Sequence, residues 1–154
     1  MFPEIFLPLP YDFYDNHLSL STGLHNIQMI SPVFEDWKKA SEDPSCRTIL
    51  ITHRIEELRE SVMSILHNYE VEFDETYFLG RVTEKRDTLA KEIESLPELK
   101  DILIYEDSME QILKYGKLTS SLEDINVKYY FVDKSKVFEL DEAIVGESRR
   151  IKLL

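Results

Sequence analysis

Asp101-Ile102-Leu103-Ile104-Tyr105, followed directly by Glu106-Asp107, is the stretch on which the reading of the fold turns. Its middle is apolar and rich in β-branched side chains, and it is too short for a buried helix, so it reads as a buried strand. Two adjacent carboxylates then end it. Thr48-Ile49-Leu50-Ile51-Thr52 and Val127-Lys128-Tyr129-Tyr130-Phe131-Val132 have the same strand character. Phe73 to Leu79 reads as a strand or an extended loop.

Between these runs the apolar spacing changes to that of helices. Ile55, Leu58, Val62, Ile65, Leu66 and Tyr69 fall on one face of a segment from Ile55 to Tyr69. Lys85 to Leu96 places Leu89, Ile93 and Leu96 together, and Pro97 ends it. Ser108 to Leu118 aligns Met109, Ile112 and Leu113. An earlier helix opens at Ser31-Pro32, a capping residue with proline at the first helical position. Strand and helix alternate, and the strands are predominantly apolar. This predicts an α/β fold: a mainly parallel sheet with helices on both faces, hence three layers.

The chain has 154 residues, enough for one domain with a substantial core. Residues 1–10 read as an extended arm, because Pro3, Pro8 and Pro10 oppose both helix and central strand. Residues 134–154 read as a polar tail, with room for a short helix from Asp141. Hydrophobic residues at 43% exclude disorder throughout. With 18 Lys and Arg against 30 Asp and Glu, the formal charge is −12. That argues against a general affinity for nucleic acid, which draws on clustered cations, but leaves room for a local phosphate site. The one cysteine, Cys46, excludes an internal disulfide and a thiolate zinc cage, and suits a reducing compartment. No apolar run approaches the roughly 20 residues of a membrane span. The apolar start of the chain lacks the basic flank of a signal peptide. A soluble, cytoplasmic protein with no membrane partner is expected.

In parallel α/β folds, sites lie at the carboxyl ends of the strands. Four places qualify: Asp15 to Ser19, Thr52-His53-Arg54, Lys85, and Glu106-Asp107. Adjacent carboxylates repel, and a hard cation such as Mg²⁺ relieves them. Alternatively, Asp107 caps the helix that starts near Ser108. The Thr52 hydroxyl suits a phosphoryl oxygen beside a helix N-terminus, or serves as a cap. His53 and Arg54 reach an anion or face solvent. Lys85 pairs with carboxylate and phosphate, or is solvated. Asp15 has the chemistry of a covalent nucleophile in phosphoryl transfer, and His17 that of a proton donor and acceptor. A polar turn accounts for the same residues.

In this order the four places resemble the haloacid dehalogenase-like (HAD-like) phosphohydrolase superfamily: Asp15-x-His17-x-Ser19, then Ile49-Leu50-Ile51-Thr52-His53-Arg54, then Lys85, then Ile104-Tyr105-Glu106-Asp107. The likeness is closer to the superfamily's Swiss Army Knife RNA repair-like domain. That domain carries Thr-Gly-Arg where this chain has Thr52-His53-Arg54, a Phe-Asp element matched by Phe73-Asp74, and Ile-Tyr-Glu-Asp matched by residues 104–107. The resemblance implies a Rossmann-like fold and a single HAD-like domain. It implies Asp15 as nucleophile and position 17 as general acid and base. Thr52 and Lys85 would hold the phosphoryl group, and Asp107 and Glu106 would hold Mg²⁺ with Asp15. The substrate would be a small phosphorylated molecule, a nucleotide or a nucleic-acid end such as RNA. His17 stands where the superfamily has a second Asp. A second expectation is therefore a catalytically degenerate domain that binds a protein partner through the apolar arm from Phe2 to Tyr14.

Overall fold

The structure, a computed structural model, describes residues 30–141. In chain order these form α1 (Ser31–Glu42), β1 (Ile49–Thr52), a 3₁₀ turn (Glu56–Leu58), α2 (Arg59–Asn68), β2 (Glu75–Phe78), α3 (Lys85–Glu94), β3 (Asp101–Glu106), α4 (Met109–Thr119), β4 (Asn126–Asp133) and β5 (Lys136–Leu140). The protein is mixed α/β with two small sheets. One is the parallel pair β1-β2; the other has the order β3-β4-β5. There β3 and β4 are parallel, and β4 and β5 antiparallel. Two compact units are distinguished. Among the described residues, Phe34–Lys85 form one, and Ile30–Val33 with the residues from Arg86 onward form the other. No helix of the described residues is long and apolar enough to cross a membrane.

In the first unit, β1 and β2 run in register from Ile49 opposite Glu75 to Thr52 opposite Phe78. Of the helical stripe read from the sequence, Leu58, Val62, Ile65 and Leu66 are core residues, together with Leu50, Val71 and Phe78, whereas Ile55 is half-buried and Tyr69, past the helix end, is exposed. The continuous helix expected from Ile55 instead starts with the 3₁₀ turn and becomes α-helical at Arg59. Arg59 joins this helix to the sheet. Its guanidinium lies 4.6 Å over the Phe78 ring and donates to Thr76 Oγ1 at 2.7 Å and to both carboxylate oxygens of Glu56.

At its far end α2 closes with Glu70 in the left-handed region at φ 57°. The Glu70 amide donates to His67 O, and the Val71 amide to Leu66 O, both at 2.9 Å. This double closure satisfies two carbonyls that the helix end leaves unpaired. At the amino ends of the two strands, Asp74 Oδ2 accepts from the Thr48 amide at 2.7 Å and from its hydroxyl at 3.1 Å. The Asp74 amide donates back to Thr48 Oγ1 at 3.2 Å. Alongside, Trp37 packs against Phe34 and Phe73 and donates its indole N–H to the Glu72 carbonyl.

In the second unit, β3 and β4 are in register from Asp101 opposite Asn126 to Glu106 opposite Phe131. One face holds Ile104, Val127 and Tyr129 against Ile112 and Tyr115 of α4, with Leu89 and Ile102 packed at its margin. The Thr119 and Tyr129 hydroxyls pair within it. Val132 packs with Ile30 and Val33, joined by Tyr105 and Val137. Tyr105 and Tyr130, opposite one another in register, stack with centroids 4.6 Å apart.

Two expectations are corrected. The segment from 134, read as a polar tail, begins with a strand: β5 forms a hairpin with β4 through Lys134-Ser135. Neither loop residue is glycine or asparagine, so the usual hairpin signal is missing from the sequence. In α3 the buried residues are Thr88 and Glu92, while Leu89 and Ile93 are half-buried. The apolar stripe there has only one residue per turn, too little to fix the rotation of the helix by itself, so packing sets it.

Candidate functional site

Thr52 is the last residue of β1 and lies at the carboxyl edge of the parallel pair. Its Oγ1 accepts from the Arg54 amide at 3.1 Å, so the hydroxyl shapes the turn out of the strand rather than capping a helix. A hydroxyl that accepts one bond still has its own hydrogen to donate, and that is what a phosphoryl oxygen requires. The segment leaving β2 is tied alongside. The Leu79 amide donates to Thr52 O at 2.9 Å and the Gly80 amide to Arg54 O at 3.2 Å. Gly80 has φ 58°. A Cβ there would meet only Ile55 Cγ2 at 3.6 Å, so backbone conformation rather than space calls for glycine. Lys85 opens α3 at the end of this same segment. Both residues expected to hold phosphate therefore lie on segments leaving one carboxyl edge.

Glu106 ends β3, in the parallel β3-β4 pair. Strand parity puts it in line with Ile102 and Ile104 on the core side, and it is only 7% exposed. Its Oε1 accepts from the Asp107 amide at 3.0 Å and the Ser108 amide at 3.2 Å. Asp107 itself is exposed. The expected alternative role of Asp107 as helix cap is corrected: Ser108 is the cap of α4, its Oγ accepting from the Gln111 amide at 3.4 Å. Ser108-x-x-Gln111 is a capping-box spacing, a signal present in the sequence. One turn further along α4, burial pushes the Tyr115 phenol well above the ordinary tyrosine range, and the charge of Glu106 adds to it.

Asp15 and His17 lie outside the described residues, as does the apolar arm. Thr52 and Lys85 belong to the first unit, and Glu106 and Asp107 to the second. The Asp74 of the Phe73-Asp74 element sits at the amino end of its strand pair, where it clamps Thr48. It is therefore a structural residue at the edge opposite Thr52. Among the described residues, no three His, Cys, Asp or Glu side chains gather as a metal site. The oxygen donors of Glu106-Asp107 suit Mg²⁺, which takes one or two carboxylates and keeps several waters. No family model, curated protein or solved structure matches the chain.

Proposed function

We propose that the protein is a divergent HAD-like phosphohydrolase that cleaves phosphate monoesters through an aspartyl-phosphate on Asp15. The observation that carries this reading is topological. Thr52 and the segment leading to Lys85 leave the carboxyl edge of one parallel strand pair, and Glu106-Asp107 leaves the carboxyl end of another. In this reading the fold is of the three-layer, Rossmann-like class, and the setting is the cytoplasm.

The chemistry assigned to the residues is as follows. An Asp15 oxygen attacks phosphorus, the bond to the leaving alcohol breaks, and His17 gives that alcohol a proton. His17 then takes a proton from water, whose oxygen displaces the Asp15 carboxylate and releases inorganic phosphate. Thr52 donates its hydroxyl hydrogen, and Lys85 its charge, to the phosphoryl oxygens. Mg²⁺, held by Asp15 and Asp107, would supply further charge neutralisation. Small phosphorylated molecules, nucleotides and RNA ends are the substrate classes of this reading.

The test is release of phenol from a generic aryl phosphate with Mg²⁺ or with EDTA, beside Asp15→Asn. Metal-dependent release that vanishes in the variant is expected, and an unchanged rate in Asp15→Asn rejects the nucleophile. The substitution of His17 for an acid favours one other reading, a degenerate domain that docks a protein through residues 2–14. No release, together with no Mg²⁺ binding by calorimetry, selects it.

A further inference from the structure

Glu106 and Asp107 are neighbours in sequence, yet the structure treats them as opposites. Glu106 is buried on the core side of β3, and Asp107 is exposed. A single oxygen of Glu106 receives the amides of the next two residues, at 3.0 and 3.2 Å. Those two amides lie at the junction where β3 ends and α4 begins, immediately ahead of the first helical turn. The Ser108 that is gripped there also caps the helix, with its Oγ toward the Gln111 amide and its carbonyl accepting from the Ile112 amide at 3.0 Å. The direction of the chain through Asp107 is therefore fixed from both sides, by Glu106 before it and by the Ser108 cap after it.

We propose that Glu106 is a positioning residue, whose buried carboxylate grips the Asp107 and Ser108 amides and so aims the Asp107 side chain outward at the carboxyl end of β3. Asp107 is then the only one of the two that meets a cation. The cation part of this inference rests on the phosphohydrolase reading, whereas the grip on the backbone does not. The assignment separates two carboxylates that sequence alone leaves equivalent. It makes the acceptor oxygen of residue 106, rather than its charge, the property that matters.

The experiment compares Glu106→Gln, Glu106→Ala and Asp107→Asn in the full chain. Two readouts are used: calorimetric titration with Mg²⁺ alone, and amide hydrogen exchange at residues 107 and 108. Glu106→Gln keeps an acceptor oxygen, so it should hold Mg²⁺ affinity within about threefold and keep both amides protected. Glu106→Ala should lose the protection and weaken Mg²⁺ about tenfold or more, the scale of losing a group that orients a ligand. Asp107→Asn should weaken Mg²⁺ at least as much while leaving both amides protected. Equal loss of Mg²⁺ affinity in Glu106→Gln and Asp107→Asn overturns the proposal, since Glu106 would then be a ligand. Unchanged exchange in Glu106→Ala overturns it too. If that variant does not fold, Glu106→Gln still decides between the two roles. If the wild-type chain binds no Mg²⁺, the phosphohydrolase reading fails, and the exchange measurement alone judges the grip.

Discussion

Asp74→Ala should destabilise the unit built on β1 and β2 by about 2–3 kcal/mol, because it removes the clamp on Thr48. The carboxylate accepts two bonds from Thr48, and hydrogen bonds to charged groups contribute about 1.5–3 kcal/mol each at best. Asp74 is exposed, so water replaces part of that loss on its own side. Thr48 is only 9% exposed, so its amide is left poorly solvated, at a cost of about 1–3 kcal/mol. Asp74→Asn retains an acceptor oxygen and should lose about 1 kcal/mol. With a urea slope of about 1.5 kcal/mol per molar, the alanine variant's midpoint should fall by about 1.5 M. A double-mutant cycle with Thr48→Val should return a coupling of about 1 kcal/mol between the two side chains. An alanine variant within about 0.5 kcal/mol of wild type would refute the reasoning, as would equal losses for alanine and asparagine.

Glu70→Gly should raise stability by about 1 kcal/mol in the same urea assay, since the left-handed backbone at φ 57° costs a side-chain-bearing residue about 1–2 kcal/mol and glycine's greater unfolded entropy offsets only part. Leu58→Ala should lower stability by about 2–5 kcal/mol, because Leu58 is fully buried and the cavity cannot close completely. Tyr115 gives a pH dependence. Above the unfolded tyrosine pKa of about 10, the unfolded phenol ionises while the buried one keeps its proton, so the folded state binds more protons and stability falls as pH rises. Urea midpoints at about pH 9 and 11 should therefore drop less in Tyr115→Phe than in wild type, and an equal drop would count against the burial account.

The parts of the fold legible in the sequence are those where burial leaves few alternatives. Leu50 in β1, Ile104 in β3, and Val127 and Tyr129 in β4 are core residues, and the runs containing them read as strands. The stripe Leu58, Val62, Ile65 and Leu66 is equally plain, because it supplies an apolar residue at almost every turn contact. β5 is not legible, because Lys134 takes the left-handed turn position that sequence rules reserve for glycine or asparagine. For the site, the strand-end rule leads to Thr52, Lys85 and Glu106-Asp107, and each lies on a segment leaving a carboxyl end. The opposite fates of Glu106 and Asp107 follow from counting by two along Ile102, Ile104 and Glu106, a parity that the bare pair of acids conceals. Phe73-Asp74 illustrates a related point. A motif gives residue types, whereas the edge of the sheet on which they stand is a property of the register.

Trp37 is the chain's one tryptophan. Seated between Phe34 and Phe73 with its N–H on the Glu72 carbonyl, it is an optical label for the β1-β2 unit alone. The stacked Tyr105–Tyr130 pair, 10° from parallel, belongs to the β3-β4-β5 unit and is a natural source of near-ultraviolet circular dichroism there. A single denaturation series, followed by tryptophan emission and by near-ultraviolet dichroism, to which Trp37, Tyr69 and Tyr77 of the first unit also contribute, thus compares the melting of the first unit with a signal drawn from both. Coincident curves would identify one cooperative block, and displaced curves would show that the two units melt apart.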